Sequence, residues 1–224
     1  MAEGGEDGPL RPEFFRRLDE GDDEAFYLPP RLVAHIDEPA RQALAAHYEA
    51  VLPCGGEILD LMSSFHSHLP EGAAYAAVVG LGMNAAELAA NPRLTERAIH
   101  NLNRSPRLPF ADARFDACLI AVSIQYLTRP AAVLAEVARV LKAGAPCIVT
   151  FSNRCFPTKA VAAWRALGDG GHADLVALYF RAAGGFEAPA LEVLRPPGGA
   201  TDPLFAVSAR AAGRRRPTVP CGER

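Results

Sequence analysis

The sequence predicts one doubly wound α/β domain: a mostly parallel sheet of about seven strands, helices on both faces, and an antiparallel hairpin at the end. Two observations lead to this prediction. Apolar runs of strand length alternate with Ala- and Leu-rich stretches of helical length, as parallel βαβ units require. The chain has 224 residues, half of them hydrophobic, which suffices for a single large core.

Helix and strand signals are clear in the first half of this domain. Leu44 and Tyr48 lie at helical spacing before the turn Pro53–Gly56. Asn84 is suited to cap a helix, and Asn91, which precedes a proline, ends it. We therefore predict helices over residues 39–52 and 85–90, and strands over residues 57–62, 75–81 and 97–102.

The second half contains the most apolar strand, residues 115–123, which we place at the sheet centre because a central strand is buried on both faces. Pro130 suits the first turn of a helix, and Gly144 suits its end. The stretch Arg195–Pro203 is rich in proline and glycine and predicts a hairpin loop. The other predicted elements are helices over 131–141, 159–167 and 172–183, and strands over 146–152, 186–194 and 204–209.

Composition excludes several classes of protein. Acidic residues number 26 against 23 basic ones, a net charge of -3, which disfavours a nucleic-acid-binding surface. The sequence has no long apolar run and no basic leader, so we expect a soluble protein of the cytoplasm or another intracellular compartment, without a membrane partner. The five cysteines are scattered and lack CxxC spacing, which argues against a disulfide framework and a zinc ribbon.

The two ends of the chain differ from its middle. Residues 1–24 carry nine acidic residues and several glycines, and residues 211–224 contain the basic run Arg214–Arg216. Both stretches offer little apolar surface to bury, so we predict disordered tails there. A single domain then spans residues 25–210, and its first part, residues 25–52, is a candidate lid.

Three consecutive stretches carry a recognisable pattern: Leu108–Asp116 is similar to LPFxDxSFD, Val122–Leu127 occupies the strand and turn that follow, and Ala135–Gly144 is similar to the helix end RVLKPGG. In these stretches the sequence resembles the class I S-adenosylmethionine-dependent methyltransferases, in particular type 11. The resemblance covers residues 57–152 and extends toward Arg210. It implies a Rossmann-like fold and methyl transfer from S-adenosylmethionine, with S-adenosylhomocysteine as product, to a small-molecule acceptor through oxygen, nitrogen, sulfur or a metalloid.

The resemblance also implies a cofactor site at the carboxyl ends of the strands, where open α/β sheets bind ligands. The residues that fall there are Asp60, Met62, Ser63, Ser64, Gly82, Met83, Asn84, Asn101, Leu102, Asn103 and Ser123. Two departures stand out: the first loop has no glycine, and Gly82 replaces the usual ribose-binding aspartate. The resemblance then implies that Asp60 faces the cofactor ammonium and that Asn84 contacts the ribose. It also implies that Asn101 pairs with the adenine amino group and that Leu102 packs against the face of the adenine ring. As alternatives, Asn84 caps a helix, and Asn101 and Asn103 are turn residues.

Residues near the transferred methyl group come from two segments. Gln125 and Tyr126 follow the central strand and are predicted catalytic residues, together with His35, for which Asp37 is a possible partner. Alternatively, Asp37 caps the next helix and His35 lies on the surface. The predicted acceptor-binding residues are Tyr27, Arg31, His35 and His68. His66 and His68 lack a third ligand at diagnostic spacing, so we predict no metal site.

The same departures allow a second hypothesis. A chain without the glycine-rich loop and without the acid after the second strand is also consistent with a noncatalytic, methyltransferase-like binding or regulatory protein. The polar residues at successive strand ends favour the enzyme. The sequence is compatible with either a monomer or a homodimer.

Overall fold

The computed structural model describes residues 10–213, which form seven strands and six α-helices. The strands are β1 (Glu57–Leu61), β2 (Ala77–Gly82), β3 (Glu96–Ile99), β4 (Ala117–Ala121), β5 (Pro146–Phe151), β6 (Ala190–Arg195) and β7 (Leu204–Arg210). The helices are α1 (Asp23–Tyr27), α2 (Glu38–Val51), α3 (Ala85–Ala90), α4 (Pro130–Val140), α5 (Ala162–Arg165) and α6 (Asp169–Ala183). A 3-10 turn at Pro12–Phe15 precedes them. None of the described helices is long and apolar enough to cross a membrane.

The sheet has the order β3-β2-β1-β4-β5-β7-β6. The first five strands in this order are parallel, and β7 pairs antiparallel with both β5 and β6. The predicted doubly wound sheet with a terminal hairpin is therefore confirmed, with β4 at its centre. Strand order reverses between β1 and β4, and a sheet of this kind opens a crevice at that point.

Successive strand residues point to opposite faces and bury two separate hydrophobic clusters. On one face, Leu59 and Ile120 join side chains of α4, α5 and α6, including Trp164 and Tyr179. On the other face, Ile58 and Leu119 join α2 and α3 through Leu44, Tyr48 and Leu88. These two layers hold the strand ends in fixed positions.

Several predicted elements are shorter than expected, and two of these differences affect the site. The third strand ends at Ile99, so residues 101–103 lie in the turn that follows it. The helix expected over residues 159–167 is reduced to the four residues of α5, and Lys159 precedes it with no exposed surface. An ammonium group in that position is stabilised by partners from another segment of the chain.

That segment is residues 10–37, here called the N-terminal strap, which packs across the carboxyl ends of the strands. Asp23 is 5% exposed and pairs with Arg17 (2.6 Å) and Lys159 (3.2 Å). The structure thus differs from the predicted tail over residues 10–24, because this ion network orders acidic residues that bury little apolar surface. Residues 1–9 and 214–224, with Arg214–Arg216, lie outside the described residues.

Candidate active site

A cleft lies between the carboxyl ends of β1, β2 and β4 and the N-terminal strap. Its empty volume is about 1080 Å³ including the open mouth, and it extends from β1 across the switch in strand order. The predicted site residues that line it are Tyr27, Arg31, His35, Asp60, Met62, Ser63, Ser64, His68, Gly82, Met83, Asn84, Asn101, Leu102, Asn103, Ser123 and Tyr126. Gln125 is the predicted residue that does not.

Asp60, near the end of β1, is almost completely buried. One of its oxygens, Oδ2, accepts hydrogen bonds from the hydroxyls of Ser63 and Ser67, each at 2.6 Å. Burial raises the pKa of Asp60 to about 6, although both hydroxyls oppose this shift. A carboxylate held in this way attracts a positively charged group of a ligand.

The first loop approaches β2 closely without using glycine. Met62 adopts a φ of 59°, the left-handed region that glycine usually occupies. The amide of Ser63 donates to the carbonyl of Leu81 at 2.8 Å, and a Cβ added at Gly82 would overlap the carbonyl oxygen of Ser63. A side chain at position 82 is therefore incompatible with this loop, which explains the missing aspartate.

Asn84 has a structural role that replaces the expected ribose contact. Its Oδ1 accepts from the amides of Ala86 and Glu87, capping α3. Its Nδ2 donates to the carbonyls of Tyr27 and Leu28 in the strap, both at 2.9 Å. The side-chain amide has then used both of its hydrogens and both of its acceptor positions.

Glu87, which sequence reasoning did not identify as a site residue, lies in the wall of the cleft. It is 8% exposed; Oε1 accepts from the amide of Arg31 (2.7 Å) and Oε2 from the hydroxyl of Ser64 (2.7 Å). The spacing Asn84-x-x-Glu87 resembles a capping box, which explains an acid here by helix formation alone. The signal that could have identified it is the lack of any other acid near the end of β2.

Two asparagines after β3 behave as turn residues, as one of the alternatives held. Oδ1 of Asn101 accepts from the amides of Asn103 and Arg104. Asn103 bonds Asp23 and the carbonyl of Tyr126 through Nδ2, and Thr128 through Oδ1. Asn103 is thus committed to holding the strap, whereas Nδ2 of Asn101 makes no hydrogen bond with the described residues and lines the cleft.

Two histidines stack at the base of the first loop. The rings of His66 and His68 lie 5.2 Å apart and 10° from parallel, and His66 contacts Arg41 at 2.7 Å. His68 is 9% exposed with a φ of 54°, and its buried Nδ1 has no partner. Burial, followed by nearby His66 and Arg41, lowers the pKa of His68 to about 3, so its ring is neutral at physiological pH.

The predicted pair of His35 and Asp37 does not form. Oδ1 of Asp37 caps α2 through the amide of Ala40, and Oδ2 accepts from the amide of Asp202 (2.8 Å). His35 does line the cleft, with its ring edge-on to Phe156, and burial lowers its pKa. Its imidazole faces the cleft, where the nearby carboxylate of Glu87 opposes the effect of burial on its pKa.

Arg31 does not present a free guanidinium fork. The group lies 4.6 Å from the ring centre of Phe26 and donates to the carbonyls of Phe26 (2.9 Å) and Pro29. These contacts fold the strap on itself, because Arg31 satisfies its carbonyls and covers its aromatic face. The predicted binding of an acceptor by Arg31 is therefore not supported. Tyr27 lines the cleft, and burial raises its hydroxyl pKa.

The residues after β4 divide into two kinds. Tyr126 lines the cleft, its hydroxyl accepts from the amide of Phe156 (2.8 Å), and burial raises its pKa to about 12. Gln125 is 1% exposed and donates to the carbonyl of Val122. Its side chain does not line the cleft, so the structure does not support the predicted catalytic role. Ser123 lines the cleft with a buried Oγ that lacks a partner.

The middle of the chain is similar in sequence to a known domain family. Residues 61–149 match the sequence model of the methyltransferase domain family. This region of the chain is therefore similar to methyltransferase domains. The matched region includes the first loop and the stretches Leu108–Asp116 and Ala135–Gly144 that carried the resemblance. A comparison with curated protein sequences found no match.

Solved structures share the fold of this chain at low sequence identity. The [4+2]-cyclase SpnF is 17% identical with a TM-score of 0.58, over 84% of this chain and 87% of that one. A methyltransferase from Aquifex aeolicus is 18% identical with a TM-score of 0.55, over 79% and 95%. The geranyl diphosphate C-methyltransferase of Streptomyces coelicolor A3(2), solved with S-adenosylhomocysteine, is 12% identical with a TM-score of 0.50, over 78% and 79%.

The cleft fits the cofactor of that family in two respects. Ser123 and His68 each leave a buried polar atom unpaired in its wall, and such atoms usually have a ligand or water as partner. Asp60 supplies a carboxylate for an ammonium group. Among the described residues, no group of three metal-ligating side chains is present.

Proposed function

We propose that this protein transfers a methyl group from S-adenosylmethionine to a small-molecule nucleophile bound beneath the N-terminal strap. The observation that carries the proposal is the cleft that collects polar side chains from the ends of β1, β2 and β4 under the strap. When bound, the cofactor supplies an electrophilic sulfonium methyl. What the chain must add is alignment, because in-line attack depends mainly on orientation and on excluding water.

The residues divide into a cofactor side and an acceptor side. Asp60, Ser63 and Ser64 lie at the end of β1 and in the first loop, and their hydroxyls and carboxylate suit the amino-acid part of the cofactor. Asn101 offers a free Nδ2 donor, which suits a ring nitrogen of the adenine and not its amino group, and Leu102 offers an apolar side chain for the face of the ring. The acceptor side consists of His35, His68 and Tyr126.

The acceptor side favours a small acceptor without a positive charge. Its three side chains are neutral at physiological pH, since burial lowers the pKa of both histidines and raises that of Tyr126. A neutral imidazole accepts a hydrogen bond from an O–H, N–H or S–H group, and the hydroxyl of Tyr126 can donate one. The strap leaves room for a small molecule.

The test is turnover on defined acceptors. Purified protein is incubated with S-adenosylmethionine and, separately, a phenol, a primary amine and a thiol, and S-adenosylhomocysteine is quantified against a reaction without acceptor. Acceptor-dependent product from the wild-type protein, reduced at least tenfold in His68→Asn, supports the proposal. A protein that binds cofactor but forms no product with any class would favour a noncatalytic binding or regulatory role.

A further inference from the structure

Among the residues that line the cleft, two carboxylates are present, Asp60 and Glu87. They are held by consecutive residues of the first loop: Ser63 donates to Asp60 and Ser64 donates to Glu87. The adenosyl cofactor likewise presents two strong donor groups apart from its adenine, an ammonium and the cis-diol of its ribose. The number of carboxylates in the cleft therefore equals the number of these donor groups on the cofactor.

We infer that Glu87 is the carboxylate that binds the ribose diol in this protein, an inference that rests on the proposed function. A carboxylate suits a diol because it offers two oxygens and about four acceptor positions. Glu87 uses one position for the amide of Arg31 and one for the hydroxyl of Ser64. The remaining positions are available to two hydroxyl donors.

Other residues near the end of β2 do not provide this contact. Position 82 must be glycine, because a Cβ there would overlap the backbone of Ser63. The side-chain amide of Asn84 already forms its hydrogen bonds with α3 and the strap. The side-chain amide of Asn103 forms its hydrogen bonds with Asp23, Tyr126 and Thr128. The acid is therefore located on the first turn of α3 instead of at the strand end.

Glu87 also couples the diol to the strap. Its Oε1 holds the backbone of Arg31, so a ligand bound to this carboxylate fixes the position of the segment that covers the cleft. A helix cap alone would not require the side chain to bond the strap and the first loop. In this inference the carboxylate of Glu87 makes two contacts: one binds the ligand, and the other holds the strap over the cleft.

The experiment is calorimetric titration of the full-length wild type and Glu87→Gln with S-adenosylhomocysteine and with its 2′,3′-dideoxyribose analogue. Loss of a charged hydrogen-bond acceptor corresponds to weakening by roughly tenfold to a hundredfold for S-adenosylhomocysteine. For the dideoxy analogue, the wild type and Glu87→Gln bind within about threefold of each other on the same reasoning. Glu71→Gln, on an exposed turn, is the matched control and leaves both affinities unchanged.

Two further measurements separate binding from folding. Thermal unfolding of Glu87→Gln reports whether the fold is kept, and Ser64→Ala removes a donor from Glu87 without changing its charge. Ser64→Ala is expected to keep the preference for the intact ribose. Wild-type affinity of Glu87→Gln for S-adenosylhomocysteine, or an equal loss for both ligands, would overturn the inference alone. No binding by the wild type would overturn the proposed function as well.

Discussion

At the scale of single residues, burial in the wall of the cleft raises the pKa of an acid and lowers the pKa of a base. Asp60 has its pKa raised to about 6, and His68 has its pKa lowered to about 3. Both shifts favour the uncharged form, since the charged form loses its hydration in the protein interior. The two residues therefore make opposite contributions to the pH dependence of stability.

The first prediction concerns that pH dependence. The contribution of His68 to stability is complete above pH 6.5 and is lost as pH falls toward 3, because the unfolded chain binds a proton that the folded one does not. The contribution of Asp60 is complete below pH 3.8 and is lost as pH rises through 6. For each variant we consider the difference between its unfolding free energy and that of the wild type. For His68→Gln this difference should rise as pH is lowered, and for Asp60→Asn it should rise as pH is raised. Each change amounts to at most about 1.4 kcal/mol per pH unit. Urea titrations from pH 3 to 7 measure this, and curves parallel to wild type would contradict it.

The second prediction tests the close approach of the first loop to β2. In Gly82→Ala, the new Cβ overlaps the carbonyl of Ser63, so the loop must shift; we expect about 1–3 kcal/mol lower stability and weaker cofactor binding. Gly170→Ala is the matched control, since its Cβ meets no atom within 4 Å and it lies within α6. There we expect unchanged or slightly higher stability. Equal melting temperatures for the two variants would show that the approach is not close.

Sequence reasoning identified the position of site residues better than their partners. Asp60, Ser63 and Ser64 were predictable because Asp60 lies near the end of an apolar strand and the two serines follow it, and this strand end must lie at the crevice. The contacts of Arg31 were not predictable. Its partners are backbone carbonyls of the strap itself, and no periodicity in the sequence indicates that the strap folds in this way. Glu87 was hidden because the same spacing satisfies a capping box.

At the scale of elements, the strap is held by a buried ion network. Lys159 is fully buried and contacts both Asp19 (3.1 Å) and Asp23 (3.2 Å), and Asp23 also pairs with Arg17. A second contact is the mutual pair in which Asp37 and Asp202 each accept the other's amide. The strap is thus connected to the segment before α5 at one end and to the β6–β7 loop at the other.

The third prediction follows from this network. Asp23→Asn leaves the ammonium of Lys159 buried with one carboxylate fewer, so we expect a loss of stability on the order of 2–4 kcal/mol and release of the strap. Limited proteolysis should then cut within residues 10–37 faster than in wild type. Glu24→Gln, which breaks an exposed pair with Arg104, is the control and should cost less than about 1 kcal/mol. Equal cleavage of all three proteins would argue against the network's role.

The elements themselves were predictable to different degrees. Strands β4 and β5 are almost continuous apolar runs, and β1 is apolar apart from Glu57 and Asp60, so the burial of all three was predictable from the sequence. The strap was not, because its order comes from ion pairs to Lys159 and from backbone contacts to Asn84, which link residues far apart in sequence. Such contacts have no local signature.

At the scale of the whole molecule, the sheet order determines where chemistry takes place. Reversal between β1 and β4 opens one crevice, two helical layers fix its walls, and the strap closes it. The domain family match and the resemblance in Leu108–Asp116 and Ala135–Gly144 agree with this architecture. The central claim is that this crevice, despite a first loop without glycine, holds the adenosyl cofactor.

Calorimetric titration of the wild-type protein with S-adenosylmethionine and S-adenosylhomocysteine tests that claim most directly, because it requires no acceptor. We expect saturable binding of both at one site per chain, accompanied by a thermal stabilisation of about 2.7 kcal/mol at a ligand concentration near 100 Kd. A folded protein that binds neither ligand would contradict the claim, and the chain would then be a methyltransferase-like protein that does not use this cofactor.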